Sequence, residues 1–440
     1  MNEAGINEFV LKMKKTGCGD GVVSLFLRYY EKLRNGDRGI IYENDIEPLE
    51  YGEVKKYRNI EKSKIPLEKC AAIKLNGGLG TSMGMDFPKS FVEVREGKRF
   101  IDIALLQKIF FEKNTGNNYP LIFMNSLSTK DMTQKFVNEN PQILYEDIDN
   151  CFTQHSFVKV VKDTLEAAQF EKDRTLEYNP AGHGDVYMAM YESGILDKLL
   201  KKGFRFAFIS NIDNSAATLD ASIVNFMTKN DIPFLMEVCR RTDMDKKGGH
   251  IAKNKSSGYV LRERAQTDAG EIPQFENIDK YSYFNTNSLW VDLFKLKEII
   301  DKTSTIELPF IANEKTLDPN DKTTVKVYQI EQAMGAAIGM FEGAKLLEVE
   351  KDRFFPVKTT NDLFLLRSDR YFLQNAEIKS FDDNKSQCVV ELENKYYGNL
   401  SDFEERVKNG VPSLRLCKKL SVRNDVLFDV SMKFDGKVVL

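Results

Sequence analysis

The sequence predicts an α/β core on a mainly parallel sheet, led by helices and closed by a segment of different period. Three patterns carry that prediction. Short apolar runs at 70–75, 121–124, 206–209 and 233–238 alternate with helical stretches such as 101–112 and 185–200, as strands joined by crossover helices do. Ahead of them, Ile6, Phe9, Val10 and Met13, then Val22, Leu25, Phe26, Tyr29 and Leu33, recur at helical spacings. Behind them, Leu414, Leu420, Val426, Met432 and Val438 recur every six residues, in step with Leu416, Val422, Phe428, Phe434 and Leu440.

In chain order, residues 1–45 form a helical N-terminal segment, 46–370 the α/β domain and 371–440 a C-terminal domain. In an open α/β sheet, ligands sit beyond the carboxyl ends of the strands. Two interlaced columns of a hexad suit a parallel β-helix, in which each short strand turns both side chains inward. An ordinary hairpin also gives that spacing and stands as the other reading. A triangular coil takes about three hexads, so fewer than two coils fit here, and such a stub must dock on the core or on a partner.

Composition narrows the function. The chain has 440 residues, ample for sizeable cores without disulfides or metals. With 63 basic against 66 acidic residues, the net charge of -3 argues against nucleic acid or an anionic membrane as the main partner. Six cysteines without CxxC pairing and only three histidines argue against zinc clusters and a disulfide framework, and fit a reducing compartment. No apolar run approaches a membrane span and no export signal opens the chain, so a cytoplasmic protein is expected.

The most informative stretch is CAAIKLNGGLGTSMGMDFPKS, residues 70–90. A strand runs into Gly77, Gly78, Gly80 and Gly84, and Lys89 follows Pro88. Glycines let backbone N–H groups approach phosphate oxygens, and a nearby lysine adds positive charge. A nucleotide phosphate site follows, although a tight strand-to-helix turn would use some of the same residues. Pro88 before the lysine excludes a Walker A loop, and Met83 excludes GxGxxG.

LNGGLGTSMG with the following PKS resembles the signature of eukaryotic-type UTP-glucose-1-phosphate uridylyltransferases, the UDP-glucose pyrophosphorylases. Further strings agree in order: PAGHGDVY (180–187), FAFISNIDN (206–214), DKKGGH (245–250), FNTNSLW (284–290), QIEQAMGAAI (329–338) and RFFPVKTTNDL (353–363). The resemblance implies a Rossmann-like nucleotidyltransferase core of the glycosyltransferase-A type with a mixed sheet, and a short C-terminal left-handed β-helix. It implies conversion of UTP and glucose 1-phosphate to UDP-glucose and pyrophosphate, reversibly and with Mg²⁺.

The nucleophile of such a reaction is a sugar phosphate whose second ionisation lies at about pH 6, so it needs no protein base. Catalysis then rests on positioning and neutralising two polyanions. The resemblance assigns Lys89 and Lys358 to the phosphates and Asp213 to the metal, and these three are the expected catalytic residues. Without it, Lys358 is an ordinary lysine and Asp213 an Asx-turn cap. It places Leu75, Asn76, Gly77, Gly78, Lys89, Gln154, Gly182, Asn211, Asp213 and Lys358 around UTP. His183, otherwise a structural histidine, is placed with Asn211, Gly249, Glu263, Asn285 and Asn287 around the sugar phosphate, with Thr286 and Glu331 assisting. Ser82 stands where wider-scope relatives carry an arginine, and the chain departs from the family at Val158 and Ala181, each in place of a usual proline.

A broad-specificity UDP-sugar pyrophosphorylase is the alternative enzyme, and a silent sugar-nucleotide sensor the alternative of another class. The short C-terminal segment predicts a monomer or weak dimer, not a large ring.

Overall fold

The computed structural model describes residues 3–255, 258–381 and 388–440. Eight strands form its central sheet path: β1 (Lys55–Lys56), β2 (Lys69–Asn76), β3 (Leu121–Asn125), β4 (Cys151–Thr153), β5 (Phe204–Asn211), β6 (Phe234–Arg240), β7 (Tyr283–Asp292) and β8 (Lys345–Glu348). Their spatial order is β1-β8-β6-β7-β5-β2-β3-β4. All four apolar runs of the sequence are strands here. β2, β3, β5 and β6 are almost wholly buried because helices and loops cover both faces, and a continuous apolar run meets that demand.

The sheet is mixed. β7 pairs antiparallel with both β5 and β6, while the other pairs along the path are parallel. Its reversal matters for position: the register pairs Ser288 with Ser210, so the FNTN half of β7 emerges at the edge where β5 ends. Parallel strands deliver their carboxyl ends to this edge, and the one reversed strand delivers its beginning.

Two N-terminal helices, α1 (Glu3–Lys15) and α2 (Asp20–Arg34), pack Phe9, Met13, Phe26 and Tyr29 into the same buried cluster as β2 and β5. The stretch 185–200, expected as one helix, is two, α3 (Val186–Glu192) and α4 (Ile195–Lys201). Gly194, at φ +76°, makes the break, since a left-handed residue ends a helix. Among the described residues, no helix is long and apolar enough to cross a membrane.

At the C-terminus, β9 (Val389–Leu392), β10 (Ser413–Val422) and β11 (Lys433–Val439) form a parallel sheet. Leu420 pairs with Val438, three hexads further along the chain. The hexad fails at one position. Leu416 is 68% exposed, and Cys417 is buried in its place, because irregularities in the β10–β11 pairing slip the alternation. Leu414, Leu420, Val422 and Phe428 share a buried cluster with Ala72, Met83, Phe100 and Phe123 of the α/β part, so the segment docks on the core.

Candidate active site

β2 ends at Asn76 and its chain turns directly into the glycine loop. Gly80 and Gly84, both left-handed, bracket a single turn at Thr81–Met83, and the Lys89 N–H returns to the Gly78 carbonyl at 3.1 Å. The glycines serve different ends. A Cβ on Gly77 would fall 2.4 Å from Gln154 Nε2, whereas one on Gly78 would meet nothing within 4 Å. Gly77 therefore admits the protein's own glutamine, and Gly78 leaves its face free for a ligand.

A cavity of about 350 Å³ opens at this edge of the sheet. Leu75, Gly77, Gly78, Lys89, Gln154, Gly182, His183, Asn211, Asp213 and Glu331 line it, with Met124, Pro180 and Ile212. Ten residues singled out in the sequence thus meet on one wall, drawn from the ends of β2, β4 and β5, the glycine loop with Lys89, the PAGHGD turn and the strand Lys326–Gln332 that carries Glu331. Hollows of about 590 and 640 Å³ lie elsewhere and carry none of the predicted charged residues.

Two opposite charges define the wall. Lys89 Nζ donates to Asp213 Oδ2 at 2.7 Å and to the Val357 carbonyl. Asp213 Oδ1 is buried without a hydrogen-bond partner. A lone carboxylate oxygen with unused acceptor capacity fits Mg²⁺, which takes one or two carboxylates and completes its shell with phosphate and water oxygens. It does not fit a fully protein-made cage, and no cluster of three or more His, Cys, Asp or Glu suited to a metal occurs among the described residues.

His183 is a neutral donor. The Met334 N–H donates to its Nδ1 at 3.1 Å, which leaves the ring proton on Nε2, and burial lowers its pKa to about 4. Its flanking glycines have a role the sequence does not foretell. A Cβ on Gly182, at φ +88°, would lie 2.5 Å from the Gln332 carbonyl oxygen, and one on Gly184 would lie 2.6 Å from Gln332 Cβ. Both make room for the neighbouring strand Lys326–Gln332. Burial pushes the Glu331 carboxyl up, partly offset by Asn313 and Lys315.

Other expected residues stand off the wall. The side chain of Asn76 is buried and donates to Asn125 and Thr133 at 2.9 and 2.8 Å, so it is spent on holding the strand end. Gly249, Glu263, Asn285 and Asn287 group together beyond it: Asn285 N–H donates to the Gly249 carbonyl at 3.1 Å, and Asn285 Nδ2 to Asn287 Oδ1 at 2.7 Å. A Cβ on Gly249 would lie 2.5 Å from Glu263 Oε2. Thr286 is buried, its hydroxyl on the Glu237 carbonyl at 2.7 Å, and so supports β7 from behind. Lys358 is exposed on an irregular arm, residues 353–359, where the Ser82 hydroxyl donates to its carbonyl at 3.1 Å. Burial raises the Glu263 carboxyl, and the Lys358 charge partly offsets this.

Sequence reasoning missed His155. Its N–H and Nδ1 meet Asp185 at 2.6 and 2.9 Å, and its Nε2 lies 3.0 Å from Glu192. Burial opposes the imidazolium, but the two carboxylates prevail and raise its pKa to about 11. Glu192 also accepts from the Gly19 N–H at 2.9 Å, so one charged ring ties Gln154's loop, the GHGD turn and the start of α2 together. Such pairing is long-range, and no local signal announces it.

A family model for UTP--glucose-1-phosphate uridylyltransferase matches residues 23–434. The chain is similar to the UTP--glucose-1-phosphate uridylyltransferase of Encephalitozoon cuniculi, with 34% identity over 97% of this chain and 85% of that protein. Similarity to UTP--glucose-1-phosphate uridylyltransferase 2 of Dictyostelium discoideum is 32% over 100% and 85%. Among solved structures, a UDP-glucose phosphorylase from Trypanosoma brucei superposes with a TM-score of 0.90 at 39% identity, covering 100% of this chain and 95% of that one. A mutant UDP-glucose pyrophosphorylase from Leishmania major in complex with UDP-glucose gives 0.92 at 36%, with the same coverage.

Proposed function

The chain belongs to the UTP--glucose-1-phosphate uridylyltransferase family, and on that premise we propose how its residues divide the work. The enzyme is a nucleotidyltransferase that converts UTP and glucose 1-phosphate to UDP-glucose and pyrophosphate. The observation that carries the assignment of roles is the Lys89–Asp213 pair on the cavity wall, with one carboxylate oxygen unused.

In this reading Leu75, Gly77, Gly78 and Gly182 hold uracil and ribose, and Gln154 reads the base edge through an amide that both donates and accepts. Asn76, bonded to Asn125 and Thr133, braces that wall from behind. Lys89 exchanges its bond to Asp213 for the UTP phosphates, and Lys358 closes on them from the arm. Asp213 Oδ1 would hold Mg²⁺, which when bound would draw negative charge from the phosphates. His183 and Asn211 orient the sugar phosphate, His183 as an uncharged donor. Gly249, Glu263, Asn285 and Asn287 meet the hexose hydroxyls. No residue need take a proton, because the nucleophile arrives as a dianion.

The core is read as Rossmann-like, of the glycosyltransferase-A type, with residues 1–45, 46–370 and 371–440 as its segments. The three-hexad offset of β10 and β11 supports a short left-handed β-helix. Because that segment docks on the core, we read the enzyme as a monomer or weak dimer; an octamer that persists on dilution in light scattering would contradict this. Six unpaired cysteines support a cytoplasmic setting.

Coupled pyrophosphate release tests the function, with UTP against other nucleotides and glucose 1-phosphate against other sugar phosphates. Strong preference for UTP and glucose 1-phosphate is expected. Equal turnover of several sugar phosphates would favour the broader enzyme, and no Mg²⁺-dependent release would favour the sensor.

A further inference from the structure

One buried side chain joins the segment that carries Asp213 to the arm that carries Lys358. Asn214 is 1% exposed. Its Oδ1 accepts from the Ala216 N–H in its own loop at 3.3 Å and from the Phe355 N–H in the arm at 3.0 Å. Its Nδ2 donates to the Arg353 carbonyl at 3.2 Å, and a backbone bridge pairs Asn214 with Pro356. The root of the arm is fixed in turn. Arg353 grips Glu237 through two bonds of 2.8 Å, and Glu237 also accepts from the Trp290 N–H at 2.9 Å.

Further along, the arm is tied by Lys89 to the Val357 carbonyl, by Ser82 to the Lys358 carbonyl, and by the Lys358 N–H to Asp362. The first tie competes with substrate, because the same ammonium faces the cavity where phosphates are proposed to bind. Once Lys89 turns to them, the Asn214 side chain still spans from the Asp213 loop to the arm, beside the Val357 N–H, which donates to the Asp213 carbonyl at 3.4 Å, and the Arg353 guanidinium, which donates to the Thr218 carbonyl at 3.0 Å. We propose that Asn214 is a positioning residue: it sets the spacing between Asp213 and Lys358 while the phosphates are held. This rests on the proposed roles of those two residues. A reacting group misplaced by about 1 Å can lose on the order of 100-fold in rate, so a pin at this junction has ample effect to show.

A double-mutant cycle tests the proposal by steady-state kinetics on the full chain: wild type, Asn214→Ser, Lys358→Met and the double variant. A serine hydroxyl keeps the short turn to the Ala216 N–H but does not reach both arm groups. Asn214→Ser should lower kcat roughly 10- to 100-fold, with a much smaller change in the KM for UTP. In the Lys358→Met background the same substitution should cost less than about threefold, because its effect passes through Lys358. A full and equal loss in both backgrounds would overturn the pin while leaving the role of Lys358 intact. Unchanged turnover in Lys358→Met alone would overturn that role, and the pin with it. If thermal unfolding shows Asn214→Ser unfolded, Asn214→Asp takes its place in the cycle. It keeps both accepted bonds and replaces the one to the Arg353 carbonyl with a repulsion between two oxygens, and additive losses would again overturn the proposal.

Discussion

The two halves of the candidate site are built differently. The glycine-loop half is a finished wall: backbone ends of parallel strands, a glutamine seated on a glycine, and a lysine already paired with its aspartate. The arm half is a set of groups not yet assembled, with Lys358 exposed and Asn285, Asn287 and Glu263 grouped off the cavity. The difference follows from what each element can do. Strand ends in a buried sheet are fixed by their ladders, whereas a side chain on an arm is fixed only by the ties at its root. The half proposed to take the nucleotide is thus preorganised, and the arm half has more of its order to gain on binding.

Substitutions can break or sharpen this contrast. The largest effect should come from Asp213→Asn, which keeps the shape of the finished wall and removes its anionic member. Turnover in coupled pyrophosphate release should fall by roughly 100- to 1,000-fold, with little change in thermal midpoint. Lys358→Met comes next. Its loss should be on the order of 100-fold in kcat without loss of folding, because the side chain is exposed.

The glycines sharpen the contrast further. Gly77→Ala would drive a methyl into Gln154, whereas Gly78→Ala meets no protein atom within 4 Å. Both should raise the KM for UTP, by about tenfold or more, but only Gly77→Ala should also lower the thermal midpoint, by several degrees. Equal thermal midpoints would show that the wall is softer than described.

The smallest effects lie in pH dependence. His183, at about 4 when folded and 6.5 unfolded, binds fewer protons in the native state between those values. Its contribution to stability is therefore lost as pH falls through that window. His155 is the reverse: raised to about 11 from 6.5, it stabilises fully below 6.5 and its contribution is lost as pH rises toward 11. Buried Lys74, lowered to about 7 by desolvation, opposes His155 in the alkaline range, since its burial penalty is relieved as it loses its proton. Thermal midpoints across pH for His155→Gln and His183→Gln should show slopes altered on opposite sides of neutrality.

Much of this was legible from residues alone. Apolar runs gave β2, β3, β5 and β6 because burial on both sheet faces leaves a local trace. Gly77, Gly78 and Lys89 pointed to the cavity wall because few other needs combine strand, glycines and lysine. The direction of β7 was not legible, because either direction buries the same FNTNSLW side chains, and pairing decides between them. Leu416 and Cys417 exchanged places because a bulge shifts alternation without changing composition. Lys358 entered only through the resemblance, since an exposed lysine carries no local mark. His155 and Asn214 escaped because the partners that give them their place, Asp185 for one and Arg353 and Phe355 for the other, lie 30 or more residues away along the chain.

The account stands on charge neutralisation at the wall rather than proton transfer. Turnover of Lys89→Met and His183→Gln, measured side by side with the wild type at saturating UTP, glucose 1-phosphate and Mg²⁺, tests that most directly. Removing the ammonium should cost on the order of 100-fold or more, while exchanging a neutral imidazole for a neutral amide should cost less than about tenfold. A collapse in His183→Gln with Lys89→Met nearly intact would contradict it.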